Sequence, residues 1–256
     1  MTALDRLSFQ LYSARNFPPL TDQLAALEEL GYAKVELYGA LLEDVAALGD
    51  DLQRFHLTAP SCHIGLDQLR ADLDGAVAAA HSLGTTLLVV PAIPHDQRAK
   101  DANGWRVLGG VLDEFQTALA TSGLRLAWHN HDFEFQALPD RSMPLELIFE
   151  TAPGLLWEAD IGWVVRAGQD PVDWIRRYAD RIVAFHVKDL APAGEKTDED
   201  GWADVGAGTV DWQRLWPAMQ ATPAELLVVE HDNPSDFKRF ARNSRETMAA
   251  WPEATA

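Results

Sequence analysis

The sequence predicts an α/β fold of the (β/α)8 TIM-barrel class, a closed ring of eight parallel strands wrapped by helices. Three observations carry that expectation. Eight short runs rich in β-formers alternate with stretches of helical periodicity. The runs are apolar on both faces, as strands of a parallel sheet covered by helices must be. Most of them end in ionisable residues, which are costly there unless the strand ends converge on one site, as at the C-terminal mouth of such a barrel. No Gly-x-Gly-x-x-Gly follows the first run, so a dinucleotide-binding open sheet is disfavoured. The expectation is one barrel domain over residues 1–256.

The elements follow in order. Strand candidates lie at 7–12, 33–38, 57–63, 86–92, 124–130, 155–161, 181–188 and 225–231. Between the first two, Leu20, Leu24, Leu27 and Leu30 keep helical spacing and stop at Gly31, a suitable helix end. After the third, Leu66, Leu69, Leu73, Ala76, Val77, Ala80 and Leu83 draw one helix face up to Gly84. Trp105, Leu108, Leu112, Phe115 and Leu119 do so before Gly123, and Phe237, Phe240, Ser244, Met248 and Trp251 form a last stripe. Trp105, Trp216 and Trp251 fall on such stripes and read as core. Segment 191–205 is polar and Gly-rich, which predicts a long loop over the mouth after the seventh strand. Segment 91–104 is the other long connection.

Composition narrows the function. With 21 Lys and Arg against 39 Asp and Glu, the net charge of −18 opposes nucleic acid and anionic membrane as partners. The single cysteine, Cys62, excludes an internal disulfide and fits a reducing compartment. No basic segment followed by an apolar run opens the chain, and no stretch reaches membrane-spanning length. The expectation is a soluble cytoplasmic protein, with a homo-oligomer left open.

Side chains alternate along a strand, so Glu158 and Asp160 share a face, as do Ala127, His129 and His131, and His186 and Lys188. If Asp160, His186 and Glu230 point into the mouth, they form a ligand set for Mn, Mg, Co or Zn. His131 is the natural fourth ligand from the fifth strand. Against this stands the alternative that these are hydrogen-bonded barrel groups holding no metal; three or four strand-end ligands in spatial sequence favour the metal. Cys62 beside His63 suggests a nucleophile pair, but neighbouring strand residues face opposite ways, and a buried thiol fits better.

The run Trp128-His129-Asn130-His131-Asp132-Phe133-Glu134-Phe135 resembles the fifth strand of the sugar phosphate isomerase/epimerase group. That group lies in the xylose isomerase-like barrel superfamily, with inosose dehydratases, ketose 3-epimerases and enzymes acting on 3-keto-glycosides. Glu158-Ala159-Asp160-Ile161-Gly162-Trp163 is similar to its sixth strand, and Phe185-His186-Val187-Lys188-Asp189 to its seventh. The segment from Asp204 to Trp212, with Val229-Glu230-His231-Asp232, is similar to its eighth unit. The resemblance spans nearly the whole chain. It implies metal ligands at Asp160, His186 and Glu230, while the family's fifth-strand Glu aligns with Ala127, leaving His131, Glu134 or Glu158 to compensate.

The chemistry implied is proton abstraction next to a carbonyl through an enediolate, with a divalent ion as Lewis acid. Glu230, Lys188, Glu134 and His63 are the catalytic candidates, and Glu36, His129, Trp163 and Asp232 the substrate-binding ones. Lys188 would stabilise developing negative charge, and Trp163 would stack on a pyranose face. Glu36 and His63, at the ends of the second and third strands, serve equally well as structural hydrogen-bonding groups. A metal-dependent isomerase or epimerase of an unphosphorylated sugar or keto-sugar leads. A dehydratase or lyase on a keto-inositol or 3-keto-glycoside is the alternative, with a non-catalytic sugar-binding barrel as the third reading. Gly206-Ala207-Gly208 lacks basic neighbours, so a phosphate site is not expected.

Overall fold

A computed structural model describes residues 2–252. Eight parallel strands close into a barrel: β1 (Leu7–Gln10), β2 (Lys34–Tyr38), β3 (Thr58–His63), β4 (Leu87–Val90), β5 (Arg125–His129), β6 (Leu156–Asp160), β7 (Ile182–Val187) and β10 (Leu226–Val229). They neighbour one another in chain order, and β10 pairs with β1 to close the ring. A two-stranded antiparallel hairpin, β8 (Asp189–Leu190) and β9 (Trp202–Ala203), follows β7. The helices are α1 (Leu20–Glu29), α2 (Val45–Arg54), α3 (Leu66–Ala71), α4 (Leu73–Leu83), α5 (Ala102–Ala120), α6 (Pro144–Thr151), α7 (Ile161–Arg166), α8 (Pro171–Arg177), α9 (Trp212–Gln220) and α10 (Phe237–Ala249).

Alternation along each strand divides the residues between two environments. Outward side chains such as Phe9, Trp128, Trp157 and Phe185 are buried among the helices. Each large one removed from water contributes roughly 1.5–3 kcal/mol. Inward side chains form a plug in two parts. Leu87, Val89, Ala127, Ala184, Leu226 and Val228 make an apolar floor. Above it, at the C-terminal strand ends, lie Gln10, Glu36, His63, His129, Glu158, Asp160, His186 and Glu230, all buried.

Two sequence expectations change. The single helical stripe from Leu66 to Leu83 is two helices, because Asp72 leaves the helical region (φ −155°) and its carboxylate caps α4 by accepting from the Gly75 N–H. The periodicity continues across the break, so the stripe alone could not show it. Segment 191–205, expected to be too polar to pack, is in fact anchored. Trp202, Ala203 and Val205 are buried, and the Glu199 carboxylate accepts from the backbone N–H and Oγ of Ser235 and from Arg239. Hydrogen bonds and the Arg239 charge offset the desolvation cost of the Glu199 carboxylate, which composition cannot register. Trp105 and Trp216 are buried as expected, and Trp251 packs on Trp212 and Trp216. Among the described residues, no helix is long and apolar enough to cross a membrane.

Candidate active site

The strand ends build the site residue by residue. In β5, Trp128 faces the helices and His129 faces in. Asn130 then ties β5 to β6: its Oδ1 accepts from the Trp157 indole and the Asp160 N–H, and its Nδ2 donates to the Asp160 carbonyl. In β6, Glu158 and Asp160 both face inward. Asp160 Oδ1 caps α7 by accepting from the Trp163 N–H at 2.8 Å, which leaves Oδ2 aimed at the barrel axis. That oxygen is buried without a hydrogen-bond partner. Around it stand His129 Nε2 at 3.8 Å, His186 Nδ1 at 3.9 Å and Lys188 Nζ at 3.9 Å.

Beneath lies a second layer. Glu158 Oε2 sits 2.6 Å from His63 Nε2, 3.2 Å from His129 Nδ1 and 3.1 Å from His186 Nε2. Glu36 Oε1 accepts from Gln10 Nε2 at 2.8 Å and lies 2.7 Å from His186 Nε2 and 3.1 Å from His63 Nε2. Each bridging imidazole therefore turns one nitrogen down to a carboxylate and the other up: His129 Nε2 toward Asp160, and His186 Nδ1 toward Glu230 at 2.9 Å. A carboxylate behind a histidine fixes which nitrogen is free to bind.

The charges are set by these contacts. Burial works against the His63 imidazolium, but Glu36 and Glu158 outweigh it and raise this group to about 10. His186 is likewise raised, against burial, by Glu158, Glu230 and Glu36. Burial, with the cationic His186 and His63 nearby, holds His129 well below its ordinary value. Burial also pushes Asp160 up to about 7, against the pull of Lys188 and His186. Glu230 is buried too, yet Lys188 and His186 keep it well below the usual carboxylate range. Lys188 donates to Glu230 at 3.0 Å and Asp232 at 2.7 Å, and its ammonium stands over the Trp202 ring at 4.3 Å and the Trp163 ring at 5.1 Å. A Cβ on Gly162 would come within 2.8 Å of the Lys188 carbonyl and 3.0 Å of Trp202, so this position needs glycine for the packing to close.

The sequence candidates are therefore distributed unevenly. His63, His129, Asp160, His186, Lys188 and Glu230 come together, with Asp232 beside them. Glu36 is fully buried below the imidazoles rather than at the surface of the mouth. His131 does not join the ligand group. Alternation holds only within the strand, which ends at His129; beyond it the His131 N–H turns to Glu134 Oε2, and the ring packs against Phe133 and Trp163. Glu134 points away from the histidines, its Oε1 accepting from the Trp128 indole, and burial pushes it up to about 8. Ala127 belongs to the apolar floor, so a missing carboxylate there leaves no gap in the site. Gln10 and Trp202 carry no sequence signal: Gln10 is a lone amide in an apolar strand run and Trp202 a lone indole in the polar segment 191–205, and pairing alone brings them in. Cys62 is buried, and burial raises its thiol.

Atoms of His129, Asp160, His186 and Glu230 all lie within 4.8 Å of one another, and so do those of His63, His129, Glu158 and His186. A first-row ion bonds such atoms at about 2.0–2.2 Å, so pairs of its ligands stand roughly 3–4.4 Å apart. The upper group fits a divalent ion, since it holds the orphaned Asp160 Oδ2. A cavity of about 350 Å³ opens above it, bounded by His63, His129, His131, Glu230 and Asp232 at its polar end. A larger cleft of about 600 Å³, by Trp212, Trp216 and Trp251, lies on the barrel flank away from this chemistry.

Comparison with known proteins agrees with this architecture. The family described as xylose isomerase-like TIM barrel matches residues 24–254. A sugar phosphate isomerase/epimerase from Parabacteroides distasonis superposes with a TM-score of 0.79 at 18% identity, over 96% of this chain and 94% of that one. The IOLI protein, solved with a bound zinc atom, gives a TM-score of 0.75 at 17% identity over 95% and 96% of the two chains. An inosose dehydratase from Clostridium botulinum is 23% identical over 125 residues, 44% of this chain and 41% of that protein. The chain thus spans under half the length of that curated relative.

Proposed function

The chain belongs to the xylose isomerase-like TIM barrel family, and we propose that it is a metal-dependent sugar or keto-sugar isomerase/epimerase. The observation that carries this reading is the unpartnered Asp160 Oδ2, set among His129, His186 and Glu230, of which His129 and Glu230 line an open cavity. His129 Nε2, Asp160 Oδ2, His186 Nδ1 and Glu230 would hold a divalent ion of the Mn, Mg, Co or Zn kind. When bound there, the ion supplies Lewis acidity to a carbonyl oxygen. The zinc atom of the IOLI protein supports this reading.

The chain's own residues supply the rest. Glu230 lines the cavity and is kept ionised by Lys188, so it can take a proton from the carbon next to a carbonyl. Lys188, fixed by two carboxylates and two indoles, places positive charge where negative charge develops on the substrate oxygen. Asp232 and His131, with its unpartnered Nδ1, border the cavity and offer acceptors to sugar hydroxyls. Trp163 covers Lys188 and His131, so its role is to hold them rather than to stack on a free pyranose.

The match to an inosose dehydratase favours a second reading, dehydration of a keto-inositol or a lyase reaction on a 3-keto-glycoside. Protonated His63 at the cavity edge would then donate to the departing oxygen. Incubation with a panel of keto-sugars in deuterated water separates the two. An epimerase or isomerase returns an isomer carrying one solvent deuterium next to the carbonyl, and a dehydratase or lyase releases water or an aglycone. Turnover without solvent hydrogen at that carbon, with a label passed directly between substrate carbons, would overturn proton abstraction altogether.

A further inference from the structure

Part of the mouth cavity's wall is not used by the proposed chemistry. It is formed by Tyr12, Tyr38, Gln68, Pro91 and Ala92, with Tyr38 in register with His63 on the neighbouring strand. Tyr12 is 40% exposed and, with Val107, one of two large apolar side chains left to solvent among the described residues. Exposed rings are usually free to move, but this one is fastened. It meets Tyr38 edge to face at 5.4 Å, and the Arg15 guanidinium lies over it at 3.8 Å. Arg15 also donates to the Asp232 carbonyl, and the Tyr12 N–H donates to Gln10 Oε1, whose amide holds Glu36. The aromatic corner is thus tied to both layers of the polar site. The rest of this wall is smooth: Pro91 and Ala92 carry no long side chain, and the Gln68 carboxamide fills the space beside Gly39, where a Cβ would come within 2.2 Å of it.

We propose that the Tyr12–Tyr38 corner is an accessory subsite that stacks a flat ring joined to the sugar, so that the substrate is a glycoside or other ring-bearing sugar conjugate rather than a free monosaccharide. It rests on the reading of the polar end as a sugar site. A fixed aromatic pair gives up little freedom when a ring settles on it. The flat face can be an aromatic aglycone or the C–H face of a second pyranose.

Isothermal titration of the full chain with methyl β-D-glucopyranoside, phenyl β-D-glucopyranoside and cellobiose tests this. The ring-bearing ligands bind roughly 2–12-fold tighter than the methyl glycoside, the range expected of one aromatic contact. That advantage disappears in Tyr12→Ala and survives in Tyr12→Phe, while methyl glycoside affinity stays unchanged in both. An advantage confined to the phenyl glycoside identifies an aromatic aglycone; one shared with cellobiose identifies any flat ring. Equal affinity for all three ligands, binding of none, or an advantage that persists in Tyr12→Ala overturns the subsite. If instead phenyl glycoside binding depends on Tyr12 but is not displaced by methyl glycoside or keto-sugars, the subsite stands and the sugar reading of the polar end falls.

Discussion

Glu158→Gln probes the buried layer that orients the two bridging imidazoles. The carboxylate lies within 3.2 Å of a nitrogen on each of His63, His129 and His186. Together with Glu36 it lifts His63 from 6.5 to about 10. Each unit of such a shift corresponds to about 1.4 kcal/mol, so His63, net of its burial, contributes on the order of 5 kcal/mol to the metal-free protein. Removing Glu158 takes away one of the two carboxylates that hold this charge. The sign follows from linkage. A group whose folded value is raised stabilises fully below its unfolded value of about 6.5 and loses that contribution as pH climbs through about 10. Urea unfolding of the metal-free protein from pH 6 to 10 should therefore show wild-type stability falling across this window. The variant should start lower at pH 6 and fall less steeply, so that the two curves converge toward pH 10. Parallel curves, or equal stability at pH 6, would refute the assignment of His63 as a cation held by these carboxylates.

Further outcomes follow from single contacts. Lys188→Met should keep the metal but lower kcat by about 10²–10³, the usual loss when one preorganised charge is removed; steady-state kinetics on the keto-sugar that turns over, with metal content measured alongside, checks both halves. Gly162→Ala must displace Lys188 or Trp202 and should cost roughly 1–3 kcal/mol by overpacking, visible as a lowered urea midpoint together with lost activity. Asp189→Ala removes the acceptor for the N–H groups of Gly206 and Val210 and the Trp212 indole. Each buried donor left unpaired costs about 1–3 kcal/mol, and limited proteolysis should then cut the segment between β8 and α9.

The barrel was legible because its signals are local and repeated. Runs such as Leu226-Leu227-Val228-Val229, apolar on both faces and closed by Glu230, can be read without knowing their neighbours. Alternation also placed Glu158, Asp160 and His186 on the inner face. Past the strand end alternation no longer holds: β5 delivers His129 to the inner face, whereas His131, two positions on, turns its N–H to Glu134. What the sequence could not carry were pairings between distant segments. Gln10 with Glu36 depends on β1 pairing with β2, Trp202 over Lys188 on the β8–β9 hairpin, and Arg15 across to Asp232 on closure of β10 onto β1; none leaves a periodic trace.

The most direct test of the account is the metal content and affinity of three proteins: wild type, His129→Ala and His131→Ala. Elemental analysis after loading with zinc or manganese, followed by titration calorimetry, gives both quantities, and circular dichroism confirms the fold. One divalent ion per chain is expected in wild type, weakened at least 100-fold in His129→Ala by analogy with the loss of a supporting contact alone, which costs 10–100-fold, and largely retained in His131→Ala. Metal lost with His131 and kept without His129, or no metal in wild type after loading, would contradict it.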